Sequence, residues 1–225
     1  MEHSESVALI LAARAHVYQT LQTLLGVEPT PASLNFAASD ESLDAFHLFD
    51  IDRYGKYRRV LETAEASLVR LKDGEARKVS LVKDEYTRLF IGPGKLDAPP
   101  WESVYATKER LLFQKTTLDV RSAYRAQGFE AQAYPSVADD HIAIELDFMA
   151  SLGKRAQIAY ADGKMALMSQ AMKASAAFID NHLGQWIDVY ANALEEVSNA
   201  SLYPELVNLM KAFVPLDRDI ITGFS

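Results

Sequence analysis

The sequence predicts an all-α protein of about ten helices. Three observations carry that expectation. Apolar residues return at a spacing of three and four along most of the chain, while sustained alternation is scarce. Helix caps and stops recur at intervals that suit short, packed helices. Only two stretches, residues 91–106 and 129–138, break the helical texture. With 225 residues and 49% apolar side chains, the chain is long enough to bury a core without disulfide or metal staples.

The elements follow in order. Ser4 is placed to cap a first helix carrying Val7, Leu11, Tyr18, Leu21 and Leu25 on one side, with Gly26 as its stop. Thr30-Pro31 reads as a cap and a first-turn proline, opening a short helix toward Ala38. A second short helix is expected over Asp40 to Phe49. Asp52 then caps a longer one through Tyr57, Leu61, Ala64 and Leu68 to Gly74, and Ala76 to Phe90 continues the pattern. The run from Ile91 to Trp101 cannot be helical, because three prolines and two glycines break it. Thr116 to Gln127 is the next helix, stopped by Gly128, and a loop around Pro135 follows. Asp139 or Asp140 opens a long helix to about Asp162, with Gly163 as punctuation. Helices at about 164–183, 185–198 and 202–214 and a short tail complete the chain.

Composition excludes several classes. Cysteine is absent, which removes disulfides, thiolate metal sites, iron–sulfur ligation and cysteine nucleophiles together. The net charge is −8, the wrong sign for a surface built to neutralise phosphates, so nucleic acid is not expected as a partner. Residues 1–125 hold 18 acidic and 17 basic side chains; residues 126–225 hold 13 and 6. The acidity therefore belongs to the last hundred residues, as a solvated surface or as a field that steers a basic partner. The N-terminus is acidic where a secretory signal is basic, and no run approaches the ~20 apolar residues of a membrane helix. A soluble, cytoplasmic protein without stable membrane insertion is expected.

The first unusual loop is flanked by chemistry. Before it stands Glu85-Tyr86-Thr87-Arg88-Leu89-Phe90, and after it Trp101-Glu102-Ser103-Val104-Tyr105. The order Tyr86, Leu89, Phe90, Gly92, Pro93, Pro99, Pro100, Trp101, Ser103, Val104, Tyr105 resembles the TorD/DmsD family of redox-enzyme maturation proteins. A second hallmark of that family, an Asp-His pair opening a helix with an apolar face, is matched by Asp140-His141 and Ile142 to Met149. Phe178, His182-Leu183, Trp186 and Tyr203 resemble its C-terminal helices more weakly. One position departs: Ala138 stands where the family usually has a proline.

The resemblance implies an all-helical fold with an N-terminal and a C-terminal subdomain, here 1–106 and 107–225. It implies a non-enzymatic cytoplasmic chaperone that binds the twin-arginine signal peptide and the apo-core of a molybdenum-cofactor oxidoreductase of the dimethyl-sulfoxide-reductase type. Export is held back until the cofactor is inserted. The chaperone itself carries no cofactor, the molybdenum cofactor belonging to the client, and weak GTP binding is known to be suggested for some members. A monomer that can form a dimer by exchanging subdomains is expected.

Residue chemistry agrees with such a partner. Two guanidinium groups followed by an apolar run call for fixed carboxylates and rigid apolar contacts. The candidate peptide-binding residues are Trp101, Ser103, Tyr105, Asp139, Asp140, His141 and Glu145; Gly92, Pro93, Pro99 and Pro100 shape the loop. Each has a plainer reading. Asp139 or Asp140 can be a simple N-cap, His141 a locally bonded helix-start residue, Trp101 a core anchor, and Phe148 and Met149 core. Glu102 reads as solvated.

Three other classes stay in view. His141 and Glu145 are spaced i, i+4, as in a metal site, yet no His-Glu-x-x-His occurs. Gly92-Pro93-Gly94-Lys95 superficially suggests a phosphate loop, but Leu96 follows the lysine and no strand precedes it. A helical adaptor for an unrelated basic or amphipathic peptide would share most of these features.

Overall fold

The computed structural model describes residues 2–52, 54–72, 76–92, 94–106, 112, 114–131, 137–197 and 202–224. Pro93, Gly74 and Pro135, to which the sequence assigns turns or stops, lie outside these residues. The described residues form eleven α-helices and two π-helical turns, with no strand beyond one isolated β-bridge.

Helix α1 (Glu2–Gly26) begins before Ser4, so that residue is not its cap; the Ser4 hydroxyl instead lies 3.0 Å from the Tyr160 hydroxyl. Helix α2 (Pro31–Ala37) starts as the sequence implies. Thr30 and Ser33 form a reciprocal capping box and Pro31 opens the helix. Helix α3 (Asp40–His47) is capped by Ser39. Helix α4 (Lys56–Leu71) is gathered by Asp52 from outside, its carboxylate accepting from the N–H groups of Tyr54 and Tyr57 at 3.0 and 3.1 Å. Helix α5 (Ala76–Tyr86) passes into a π-helical turn at Thr87–Ile91. Helices α6 (Glu102–Ala106) and α7 (Lys115–Ala126) lead to the long α8 (Ile142–Ala161). Helix α9 (Met165–Phe178) runs through a second π-helical turn, Ile179–Leu183, into α10 (Gly184–Val197). Helix α11 (Leu202–Thr222) continues past Pro215, where the sequence suggested a tail. Pro215 is exposed, so its ring points away from the packing face and the helix tolerates the one missing hydrogen bond.

Helices α1 and α8 form the spine, lying antiparallel. Gly26 meets Ala143, Ala15 meets Gly153 and Ser4 meets Tyr160. The approach is close enough that a Cβ on Gly153 would lie 3.0 Å from the Ala15 Cα, so any larger residue there would have to push the two helices apart by a few tenths of an ångström. Helix α11 packs on α4 and α10, and α9 on α8. Buried side chains from α1 through α11 belong to one continuous core, so the helices on both sides of residue 106 share it.

At the centre of that core, where apolar side chains would be the default, stands a charge. The Arg14 guanidinium of α1 donates from Nε to Asp217 Oδ1 of α11, and from Nη2 to Oδ2 at 2.9 Å. Tyr18 donates its hydroxyl to the same Oδ2 at 2.8 Å, and Arg14 Nη1 lies 3.1 Å from the Met172 sulfur. Arg14 and Asp217 are both 0% exposed.

Candidate functional site

The two sequence hallmarks, separated by about forty residues, fold onto one another. Gly92, at φ +54°, turns the chain out of the π-helical turn; a Cβ there would come within 2.8 Å of the Leu96 side chain. The loop then runs to Trp101, which pairs with His141 as an isolated antiparallel bridge. Ile142 N–H donates to Pro100 O at 2.9 Å and Glu102 N–H to Asp140 O at 3.0 Å. Pro100 thus serves through its carbonyl, which a proline keeps.

Asp140 finishes the join. Its Oδ2 accepts from Ser103 N–H at 2.8 Å, so this carboxylate caps α6, not the helix it precedes. The cap of α8 is His141, whose Nδ1 accepts from Ala143 N–H at 3.1 Å. The ring sits edge-on to the Trp101 indole, with centroids 5.1 Å apart. Burial moves the His141 pKa down to about 4, against the pull of neighbouring Asp140. The ring is therefore neutral at pH 7, with Nε2 as the protonated nitrogen because Nδ1 must accept.

Asp139 turns the other way. Its Oδ2 takes Nε and Nη2 of Arg121 at 2.7 and 2.6 Å, and its carbonyl takes the Tyr124 hydroxyl at 3.0 Å. One turn into α8, Glu145 reaches inward to α10, where Oε2 accepts from Trp186 Nε1 at 3.2 Å. Tyr105 stacks on Trp186 at 5.7 Å and 18°. Glu102, expected to be solvated, is buried instead: it lies at the start of α6 and turns under the loop. Its two oxygens are 3.2 and 3.3 Å from His182 Nδ1. The extra residue in the turn Ile179–Leu183 re-aims His182 toward it.

Glu102 and Glu145 lie within hydrogen-bond reach of each other. Burial raises both, most strongly Glu145, which also feels the charges of Glu102 and Asp140; His182 partly offsets the effect at Glu102. Yet the cluster is incompletely bonded: among the described residues, Trp101 Nε1, Ser103 Oγ and Asp140 Oδ1 have no hydrogen-bond partner, and no amide, hydroxyl or ring N–H reaches Glu145 Oε1.

The structure thus brings Trp101, Ser103, Tyr105, Asp140, His141 and Glu145 into one hub, with Asp139 at its edge. It does not present them as open anions. Asp140 and Glu145 are 0% exposed and Asp139 is taken by Arg121. Pro99 and Pro100 lie in the loop that passes over the hub. Phe148 and Met149 are core, Phe148 packing among Tyr124, Phe129 and Phe178. His141 and Glu145 engage different partners, and no group of three potential metal ligands converges among the described residues. The sequence reading missed the roles of Glu102, Arg121, His182 and Trp186. The spacing of His182 and Trp186, four apart on one helical face, was the available signal.

The sequence model of the nitrate reductase delta subunit family matches residues 55–192, which hold both hallmarks. The chain belongs to that family, the one of the TorD chaperones. It is similar to the chaperone protein TorD of Photobacterium profundum, 27% identical over 93% of this chain and 94% of the relative. TorD of Vibrio vulnificus is 28% identical over 93% and 95%. A solved structure of a protein assigned to redox-enzyme maturation in Archaeoglobus fulgidus covers 93% of each chain at 19% identity, with a TM-score of 0.46. This TorD relative is a maturation chaperone of molybdoenzymes and not an enzyme. Among its described residues no helix is long and apolar enough to cross a membrane.

Proposed function

We propose that this chain is a cytoplasmic chaperone that binds the twin-arginine signal peptide and the apo-form of a molybdenum-cofactor oxidoreductase of the dimethyl-sulfoxide-reductase type. It assists cofactor insertion and holds back export until the client is mature. The observation that carries this reading is the hub. The two hallmark segments are locked together by the Asp140 carboxylate and by the backbone bonds of Pro100 and Glu102, an arrangement that fixes the loop against the start of α8. The buried members set the position of the loop and of α8. Trp101, Tyr105 and the Asp139–Arg121 pair, which retain exposure or lie at the edge, supply the contacts. The −7 balance of residues 126–225 favours encounter with a basic leader.

Calorimetric titration of the purified protein with a synthetic twin-arginine leader, beside the same peptide carrying two lysines, tests the reading. Binding that is micromolar or tighter and weakens with the lysine pair supports it. Asp140→Asn and His141→Ala should each weaken binding roughly ten- to hundredfold, the worth of about 1.5–3 kcal/mol for a lost charge-assisted contact or its support. Lys173→Ala, at an exposed position on α9, should leave it unchanged. Absence of binding to leaders from several molybdoenzymes overturns the leader-binding function and favours an adaptor for an unrelated peptide.

A further inference from the structure

Away from the hub, the surface carries a groove of about 720 Å³ between α1, α3 and α8. Leu9 and His16 of α1, Glu41 and Asp44 of α3 with Leu48 just after it, and Lys154 of α8 line it. The floor is alanine, while Leu9 and Leu48 stand exposed at 53% and 36%. Such a trough, walled by three helices and floored by methyl groups, has the shape of a seat for a fourth helix.

Its charges are unspent. Glu41 meets only His16, at 3.9 Å, and among the described residues Asp44 and Lys154 have no ion pair. The groove also has a direction. Glu41 lies beside His16, and Leu9 stands seven residues back along α1, about 10 Å away. Acid marks one end and bare leucine the other. Lys154, from α8, is a single cation in the lining, and the two acids Glu41 and Asp44 outnumber it.

We infer that this groove docks a helical peptide segment with adjacent basic side chains at one end and an apolar stripe after them. The basic pair lies against Glu41 and Asp44, and the apolar stripe runs over the alanines toward Leu9. That a client's leader supplies the segment rests on the function proposed above; the chemistry of the groove does not. The groove and the hub contacts are joined by α8, whose start the hub fixes and whose middle forms one wall.

The test uses the whole protein and two labelled probes, an authentic twin-arginine leader and a designed helix-forming peptide with two arginines followed by leucines at three-and-four spacing. Dissociation constants are read by fluorescence anisotropy for wild type, for the double variant Glu41→Lys/Asp44→Lys and for Leu9→Glu. All three sites are exposed, and unchanged circular dichroism confirms folding. Both variants should weaken the designed peptide roughly tenfold. A version with two glutamates in place of the arginines should bind the double variant better than wild type. No binding of the designed peptide to wild type, or equal binding to all variants, overturns the groove. An authentic leader that binds but ignores both variants also overturns it while leaving the chaperone reading intact. A designed peptide that follows the charge swap while no leader binds sustains the groove and sinks the leader reading.

Discussion

Two buried polar clusters divide this molecule, and they are built on opposite terms. Around Arg14, every strong group is answered: the guanidinium holds both Asp217 oxygens, Tyr18 adds a third donor, and charge balances. Around Asp140 the charges are mostly of one sign. Of its three carboxyls, Glu102 meets His182, Glu145 takes the Trp186 N–H and Asp140 takes the Ser103 N–H, and several polar atoms go without partners. The first cluster is a stitch between α1 and α11. The second is held in place by the chain around it, with part of its hydrogen-bonding capacity unused. Its place beneath the family hallmarks is therefore consistent with work beyond stability.

The contrast breaks most visibly at the stitch. Asp217→Ala leaves Arg14 buried and unpaired and should cost about 3–5 kcal/mol in urea unfolding. The double change Arg14→Met/Asp217→Leu should recover most of that loss, since an apolar pair of similar volume replaces the ions. At the hub, Asp140→Ala removes the cap of a single-turn helix and should cost about 1–2 kcal/mol. If it costs as much as Asp217→Ala, the two clusters are alike and the distinction fails.

Smaller effects depend on pH. His141 has its pKa lowered by folding to about 4, so the unfolded chain binds more protons between there and the ordinary histidine value of 6.5. Stability from this residue is present above about pH 6.5 and fades as pH falls toward 4. His141→Asn keeps an acceptor at the cap and should remove that slope in melts at pH 4.5, 5.5 and 7. Glu145 works in the opposite sense. Its pKa is raised by burial and by Glu102, so the folded state holds the extra proton and stability declines as pH rises above the unfolded carboxyl range. Glu145→Gln, a neutral stand-in that still accepts from Trp186, should leave stability at pH 5 unchanged and raise it slightly at pH 8. A loss at pH 8 would mean that the Glu145 charge is wanted.

Much of the fold is legible in the residue order. The three-and-four spacing, the Thr30-Pro31 start and the stops at Gly128 and Gly163 act within a turn of where they stand, so a linear reading finds them. What escapes is non-local. Asp140 looks like the cap of α8 because it sits just before it; only the fold reveals that it caps α6, 37 residues back. Glu102 reads as solvated because isolated acids usually are, and its burial depends on His182 arriving 80 residues later. Arg14 interrupts the apolar run Val7 to Ala13, and its burial depends on Asp217 arriving 203 residues later. The hallmark segments identify which residues gather at the hub, while the burial of Asp140 and Glu145 and the pairing of Asp139 with Arg121 are geometry that spacing does not encode.

The Arg14–Asp217 pair joins residues 203 positions apart. A ribosome adding about 5–20 residues each second needs roughly 10–40 s to travel that distance. Throughout that interval the Arg14 guanidinium lacks the Asp217 carboxylate that pairs it in the folded core. The first helix of the molecule is thus made long before the last one that answers its buried charge.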